Sequence, residues 1–304
     1  MSIKDRIPYQ LTQNSTLLFW GVHLSCFIAF FIDFHWWYVG LAVGSYYLRM
    51  FFITGGYHRY FSHKTYETSR WFQFFIAFMA MTSSQKGILW WAAHHRHHHA
   101  HSDLEGDIHS PKYGGFWHSH AGWVLSPAYK NANESLIRDF TKFPELVFLN
   151  KYWQIAPVTY ALAMLFIFGW PGLLWGFAIA TTFLWHGTFT INSLSHTWGK
   201  RRYSTTDTSR NNFILSLVTL GEGWHNNHHR FQASARNGFF WYEIDITYYG
   251  LKVLSWLGLI WKLRPVPKDL KDPNNKTWIK NQVPVSENSI SASTENKEPE
   301  TVLS

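Results

Sequence analysis

Four apolar stretches, at about 17–34, 36–54, 155–170 and 172–191, constrain this chain more than any other feature. They come in two pairs, joined only by Asp33-Phe34-His35 and Trp170-Pro171-Gly172. Links that short leave antiparallel helical hairpins as the fitting geometry. Each stretch is near the lower limit of length needed to cross the hydrocarbon core of a bilayer. A soluble bundle would need polar faces on these helices, and they are missing. The aromatic content of 19%, with 18 Trp, fits rings gathered at a membrane interface. The expected fold class is all-α, an integral membrane protein with four transmembrane helices.

Lysine and arginine placement sets the expected orientation. The two short links carry neither residue. Lys4 and Arg6, then Arg59, Lys64, Arg70 and Arg96, then Lys200, Arg201, Arg202 and Arg210 crowd the other side. Both termini and the long middle segment are therefore expected on the cytoplasmic side. The net charge of +8 reads as this bias plus contact with anionic headgroups, and nucleic acid is not expected as a partner. No cleavable signal peptide is expected, because the first apolar run is long and lacks a cleavage site. A mean hydropathy of -0.17 places much of the chain outside the bilayer. Residues 55–153 and 197–267 would form a cytoplasmic helical cap, after an N-terminal segment 1–16, with 17–267 as a single domain. Within the cap, "WFQFFIAFMAMTSS" (71–84) reads as an interfacial or buried helix, and 243–263 as a membrane-surface helix. From Lys268 to Ser304 the chain turns polar and poor in aromatics, the composition of a disordered tail.

Histidine supplies the chemistry. Residues 94–101, "HHRHHHAH", hold six of the 18 histidines, and the one cysteine, Cys26, excludes both a disulfide within the chain and a thiolate cluster. His58 and His63 flank "HRYFSH" just past the second apolar stretch. His95, His98 and His99, and again His225, His228 and His229, recur at i, i+3, i+4, which aligns three imidazoles on one helical face. Desolvating such a face is costly unless a metal takes the lone pairs. One such box would be an ordinary solvated face. Two of identical spacing, with a further pair at a helix end, point to a metal site.

The set HxxxxH, HxxHH and HxxHH resembles the membrane-bound fatty-acyl desaturases, specifically the stearoyl-CoA (acyl-CoA Δ9) desaturase branch. "WWAAHHRHHH" resembles that branch's second box, "GEGWHNNHHRF" its third, and "TFTINSLSHTWG" its Asn-Ser-x-x-His element. The similarity covers roughly residues 35–265. It implies nine imidazole ligands, His58, His63, His95, His98, His99, His196, His225, His228 and His229, with Asn192 reaching a metal through water. It also implies two iron ions, O2 as co-substrate, and a cis double bond, at Δ9, in a saturated C16–C18 acyl chain. Gln85, Thr188 and Phe189 match positions at the kink of the family's acyl tunnel. Tyr46, Met50 and Thr54 share a stripe of the second stretch that would close its far end.

Around these, Arg96 is expected to meet an anionic group of the substrate. Asp103, Glu105, Asp107 and Glu222 are expected to orient ligand imidazoles. His94, His97 and His101 point elsewhere on the helix, and His23, His35, His109, His118, His120 and His186 are off the pattern. Coenzyme A is the favoured acyl carrier, with a membrane lipid as the alternative because Lys86 and Gly87 depart from the residues of the eukaryotic acyl-CoA enzymes. With no fused haem domain, no CxxC pair and no Gly-rich dinucleotide fingerprint, electrons would come from an external protein of ferredoxin or cytochrome b5 type. Two other readings share some of these features. A diiron membrane hydroxylase or ketolase would also carry histidine boxes. A non-enzymatic histidine-rich metal protein would instead need polar residues along the spans, where only His23, Arg49 and His186 stand out.

Overall fold

The computed structural model describes residues 14–281. Lys4 and Arg6, most of the N-terminal segment and the end of the expected tail lie outside them. Helix α1 (Asn14–Ser25) continues as a 3-10 turn over Cys26–Phe31, and α2 (Trp36–Phe52) runs straight into a π-helical stretch, Ile53–Ser62. Helices α3 (Arg70–Met81) and α4 (Ile88–His101) follow. Helices α5 (Ile155–Pro171) and α6 (Ala180–Ser193) are joined through π-helical Gly172–Ile179. The short α7 (His225–Arg230) carries the last histidine box, and α8 (Ile246–Trp256) closes the order of long elements. Two strands, β1 (Glu67–Thr68) and β2 (Ile260–Trp261), pair antiparallel with Thr68 opposite Ile260.

The apolar stretches are helical where their composition puts them. Among the described residues Ile155–His196 is the one helical run long and apolar enough to cross a membrane, and Thr16–Phe31 is a shorter apolar helix. Gly169 breaks the long run with φ 67° and ψ -157°, a conformation that glycine adopts without a Cβ penalty. The chain then returns so tightly that a Cβ on Gly172 would stand 2.1 Å from the Met164 carbonyl oxygen. A Cβ on Gly176 would crowd Met164 and Leu41 together, so α2 packs on the same hairpin. Arg49, fully buried on α2, donates to Thr181 Oγ1 at 2.6 Å and lies 4.9 Å from the Tyr160 ring centre. Hydrogen bonding and the aromatic face offset the cost of burying that cation. The outward surface of these rods is apolar, with Phe31 86% and Trp36 80% exposed.

Below the rods, the largest core cluster joins Tyr57 and Phe61 of the α2 extension to Ile76 and Ala80 of α3 and Ile88 of α4. Gly56 permits the approach, since a Cβ there would lie 2.7 Å from Ile76 Cγ2. Segment 71–84 is thus a buried-face helix, with Ser69 capping it by accepting from Phe72 N. Helix α4 begins under a cap from elsewhere. Asn150 Oδ1 accepts from Leu89 N and Trp90 N, each at 3.0 Å, and sits where a Cβ on Gly87 would have to go.

One expectation needs correction here. The polar segment beginning at Lys268 is packed as far as it is described. Leu270 is buried against Tyr203 and Phe239, Ser204 N donates to the Thr277 carbonyl at 2.8 Å, and Ile279 N donates to the Arg202 carbonyl at 2.9 Å. Leu270 and Trp278 supply the anchors that a composition average over a polar segment hides.

Candidate metal centre

Helix α2's extension, α4, the end of α6 and α7 converge beneath the rods and bring nine histidines together. Five of them, His58, His63, His95, His99 and His228, have ring nitrogens all within 4.8 Å of one another. His98, His196, His225 and His229 form a second such group. The i, i+3, i+4 spacing is split between the two: in α4, His95 and His99 face one group and His98 the other.

The nitrogens face each other at short range. His63 and His95 meet Nε2 to Nε2 at 2.8 Å, His95 and His99 at 2.9 Å, His58 and His228 at 3.0 Å, and His99 and His228 at 3.0 Å. In the second group His196 and His225 meet at 3.1 Å. Two imidazole nitrogens bound to one first-row metal at about 2.1 Å and at right angles stand about 3 Å apart. The spacing fits ligands converging on cations.

Carboxylates hold the outer ring edges. His98 Nδ1 donates to Asp107 Oδ1 at 2.9 Å, His196 Nδ1 to Asp103 Oδ2 at 2.9 Å, and His229 Nδ1 to Asp207 Oδ2 at 2.7 Å. His58 Nδ1 stands 2.8 Å from Glu222 Oε2, off the line a hydrogen bond prefers. With Nδ1 protonated, the inner Nε2 carries a lone pair. The Nε2 atoms of His98 and His229 are buried with no hydrogen-bond partner, so they are free to bind a metal. Burial, reinforced by neighbouring imidazoles, holds His63, His95, His99, His225 and His228 far below the ordinary imidazole range, and His229 at about 4 despite Asp207. They are neutral, as ligands must be. Burial opposes ionisation of Asp103, Asp107 and Asp207, but their histidines, with hydroxyl partners at Asp103 and Asp207 and a backbone N–H at Asp107, keep the carboxyls well below the usual range.

Local sequence explains much of this. Asp103 follows α4 with φ 55° and accepts from Ser110 Oγ, Thr208 N and Thr208 Oγ1 as well as His196. In "GEGWHNNHH", a Cβ on Gly221 would fall 2.5 Å from Asp245 Oδ1, and one on Gly223 2.2 Å from Ser216 N. These glycines let Glu222 turn inward. It binds buried Arg59, which also bonds Asp245, and accepts from Asn237 Nδ2.

An apolar cavity runs from the rods to this centre. Trp91, Trp185, Phe189, His95 and Asn192 line it, together with Gln85 and Thr188. Gln85 Nε2 donates to Thr188 Oγ1 at 3.0 Å across it, and Trp91 Nε1 donates to Gln85 Oε1. Asn192 and His95 thus line the same cavity.

Other expected placements differ. Tyr46 and Met50 are not in this lining. Both press on Gly187, one residue from Thr188, and Tyr46 donates its hydroxyl to the Val218 carbonyl. They form a wall behind the cavity, and Thr54 is turned aside to Thr247. Arg96 is not available to a substrate anion. Its guanidinium is consumed by both oxygens of Asp139 and the carbonyls of Ser62, Leu136 and Phe61. Glu105 is exposed and, among the described residues, bonds no histidine, whereas Asp207, which no spacing rule flags, holds His229. His94, His97 and His101 bond to backbone carbonyls, away from the two groups. Off-pattern His109 lies in the cavity wall, its ring centre 4.1 Å from that of His98. Three more form a chain: His23 Nε2 meets His186 Nε2 at 3.0 Å, and His186 Nδ1 meets His120 Nε2 at 2.9 Å.

The fatty acid desaturase family model matches residues 14–252. The chain is 34% identical over 268 residues to an sn-1 stearoyl-lipid 9-desaturase of Anabaena variabilis, covering 85% of this chain and 96% of that protein. It is 36% identical to an sn-2 palmitoyl-lipid 9-desaturase of Nostoc sp. (strain 36), covering 70% and 76%. It is 34% identical to an acyl-CoA 5-desaturase of Anemone leveillei, covering 84% and 83%. Matched along most of its length by the family model and by these relatives, the chain belongs to the fatty acid desaturase family and is an oxidoreductase.

Proposed function

We propose that this protein inserts a cis double bond at Δ9 into saturated C16–C18 acyl chains in the biosynthesis of unsaturated fatty acids. Two irons would be held by the nine histidines: one among His58, His63, His95, His99 and His228, the other among His98, His196, His225 and His229, with Asn192 joined through water. The observation that carries the reading is the convergence of nine imidazoles in two groups at the end of an apolar cavity. When bound, the irons supply the O2-activating chemistry that removes hydrogen from an unactivated methylene.

The chain's own residues supply position. Trp91, Trp185 and Phe189 exclude water and hold a methylene chain by apolar contact. The Gln85–Thr188 bond bridges the cavity and gives the acyl chain a fixed obstacle to bend around. Asp103, Asp107 and Asp207 hold ring orientation and keep the proton on Nδ1. Names of the relatives divide between acyl-lipid and acyl-CoA desaturases, so the chain's carrier is coenzyme A or a membrane lipid.

Four spans, with the centre and both termini on the cytoplasmic side, fit the apolar outward faces of the rods and the crowding of basic residues on the cap. Protease added to the opposite side should leave "SPKYGG" (110–115) uncut, and cleavage there would overturn the orientation. Function is tested by expression in a host unable to make unsaturated fatty acids. The expected product is a Δ9 cis-monoene of sixteen or eighteen carbons. An alcohol in its place would make the protein a hydroxylase, and a bond at another carbon would remove the Δ9 reading.

A further inference from the structure

A groove on the cap is lined by Lys200, Arg201, Arg202 and Lys280, with Trp224 and Trp278 among its other walls and no acidic side chain in the lining. The two arginines are fixed. Arg202 pairs with Glu243 and stacks on Phe240, and Arg201 donates to the carbonyls of Thr205 and Asp207. Lys200 and Lys280 are exposed at its edges, the latter 4.7 Å from the Trp278 ring centre. Beside the charges, Phe213 and Ile214 are 50% and 56% exposed. Arginine, tryptophan and exposed apolar groups within a positive field are the make-up of a surface for a negatively charged protein.

Two short paths, one covalent and one through hydrogen bonds, lead from this groove to the metal centre. Trp224, in its wall, directly precedes His225. Arg201 grips the Asp207 carbonyl at 2.8 Å, and the carboxylate of the same Asp207 holds His229.

We infer that this basic groove docks an acidic one-electron carrier protein that reduces the enzyme, with Trp224 as the near end of the electron path. The inference rests on the desaturase reading above. In that reaction the substrate gives up two hydrogen atoms, two electrons and two protons come from outside, and O2 is reduced to two waters. A one-electron donor must therefore dock twice per turnover, and it is oxidised by one electron each time. A lipid headgroup layer could satisfy the lysines. The direct link from Trp224 to His225 favours an occupant that carries an electron.

The test uses full-length protein and a plant-type [2Fe–2S] ferredoxin of net negative charge. Binding is measured on zinc-loaded protein, which cannot turn over. K200E/K280E should weaken ferredoxin binding about tenfold at low ionic strength, and wild-type affinity should fall steeply with salt. With iron-loaded protein, the KM for ferredoxin should rise by the same factor while kcat is kept. Turnover driven by reduced methyl viologen, a small cation with no reason to use this groove, should be unchanged. Unaltered ferredoxin affinity in K200E/K280E overturns the proposal. Loss of binding only to phosphatidylglycerol vesicles overturns it too, and makes the groove a lipid contact. If wild-type protein makes no double bond even with methyl viologen, the desaturase reading itself falls, and the proposal with it.

Discussion

Asp207 shows how much one side chain outside the histidine boxes can hold. It accepts from His229 Nδ1 at 2.7 Å and from Ser209 N, so it fixes a ligand ring from a loop rather than from α7. Asp207→Ala should weaken metal binding about 10–100-fold, because carboxylates that orient ligand imidazoles are worth about that much. His97→Ala should retain metal, since its ring bonds to the Gly106 carbonyl and stacks on His101, away from both groups. Metal content per purified chain reads both, and equal loss in the two variants would mean that the two groups have been misassigned. Met50 offers a second test at this scale. Buried at 1% exposure against Gly187, Met50→Ala should cost about 2–5 kcal/mol and soften the wall behind Thr188. Products should then shift toward longer chains with the bond at the same carbon. An unchanged profile at normal abundance would separate Met50 from chain-length control.

Among the elements, α4 carries the most, because its two faces serve both groups of imidazoles. Its start is set by Asn150, whose Oδ1 serves as a cap for two backbone N–H groups. Asn150→Ala should cost about 1 kcal/mol, read as a lower thermal midpoint. Gly87→Ala should cost more, since its Cβ would fall 2.1 Å from that same oxygen. If Gly87→Ala is the milder change, Asn150 can move aside and does not set the helix start. The helix itself was legible from its histidine spacing, while its cap, 60 residues on in sequence, was not. The same holds for α2, where composition places an end near Thr54 but the helix continues in π form to Ser62 and carries His58 on it.

For the whole molecule, buried neutral histidines make stability depend on pH. Burial, with neighbouring imidazoles, lowers the folded pKa of His63, His95, His99, His225, His228 and His229. An unfolded chain takes up protons on them below about 6.5, and the folded chain refuses these protons until lower pH. Their contribution is therefore intact above about pH 6.5 and is lost as pH falls toward about 4, the value for His229. Metal binding adds in the same direction, since protons compete for the same nitrogens. Thermal midpoint and bound metal should fall together between those values, and a midpoint flat across that window would mean the histidines are protonated or solvent-accessible when folded.

The sequence by itself determined the helical class, the paired apolar stretches and the three histidine boxes, because periodicity and short links are local and hydrophobicity sums along the chain, while His196 joined them only through the family resemblance. It could not determine which histidine joins which group, since His95 and His98 are three residues apart and end up in different groups. Nor could it show that Arg96 is spent on Asp139, that Met50 and Tyr46 stand behind the cavity wall, or that Leu270 and Trp278 anchor a polar segment. Each of those depends on side chains that meet from distant parts of the chain, and only tertiary packing decides which partners arrive within hydrogen-bond reach.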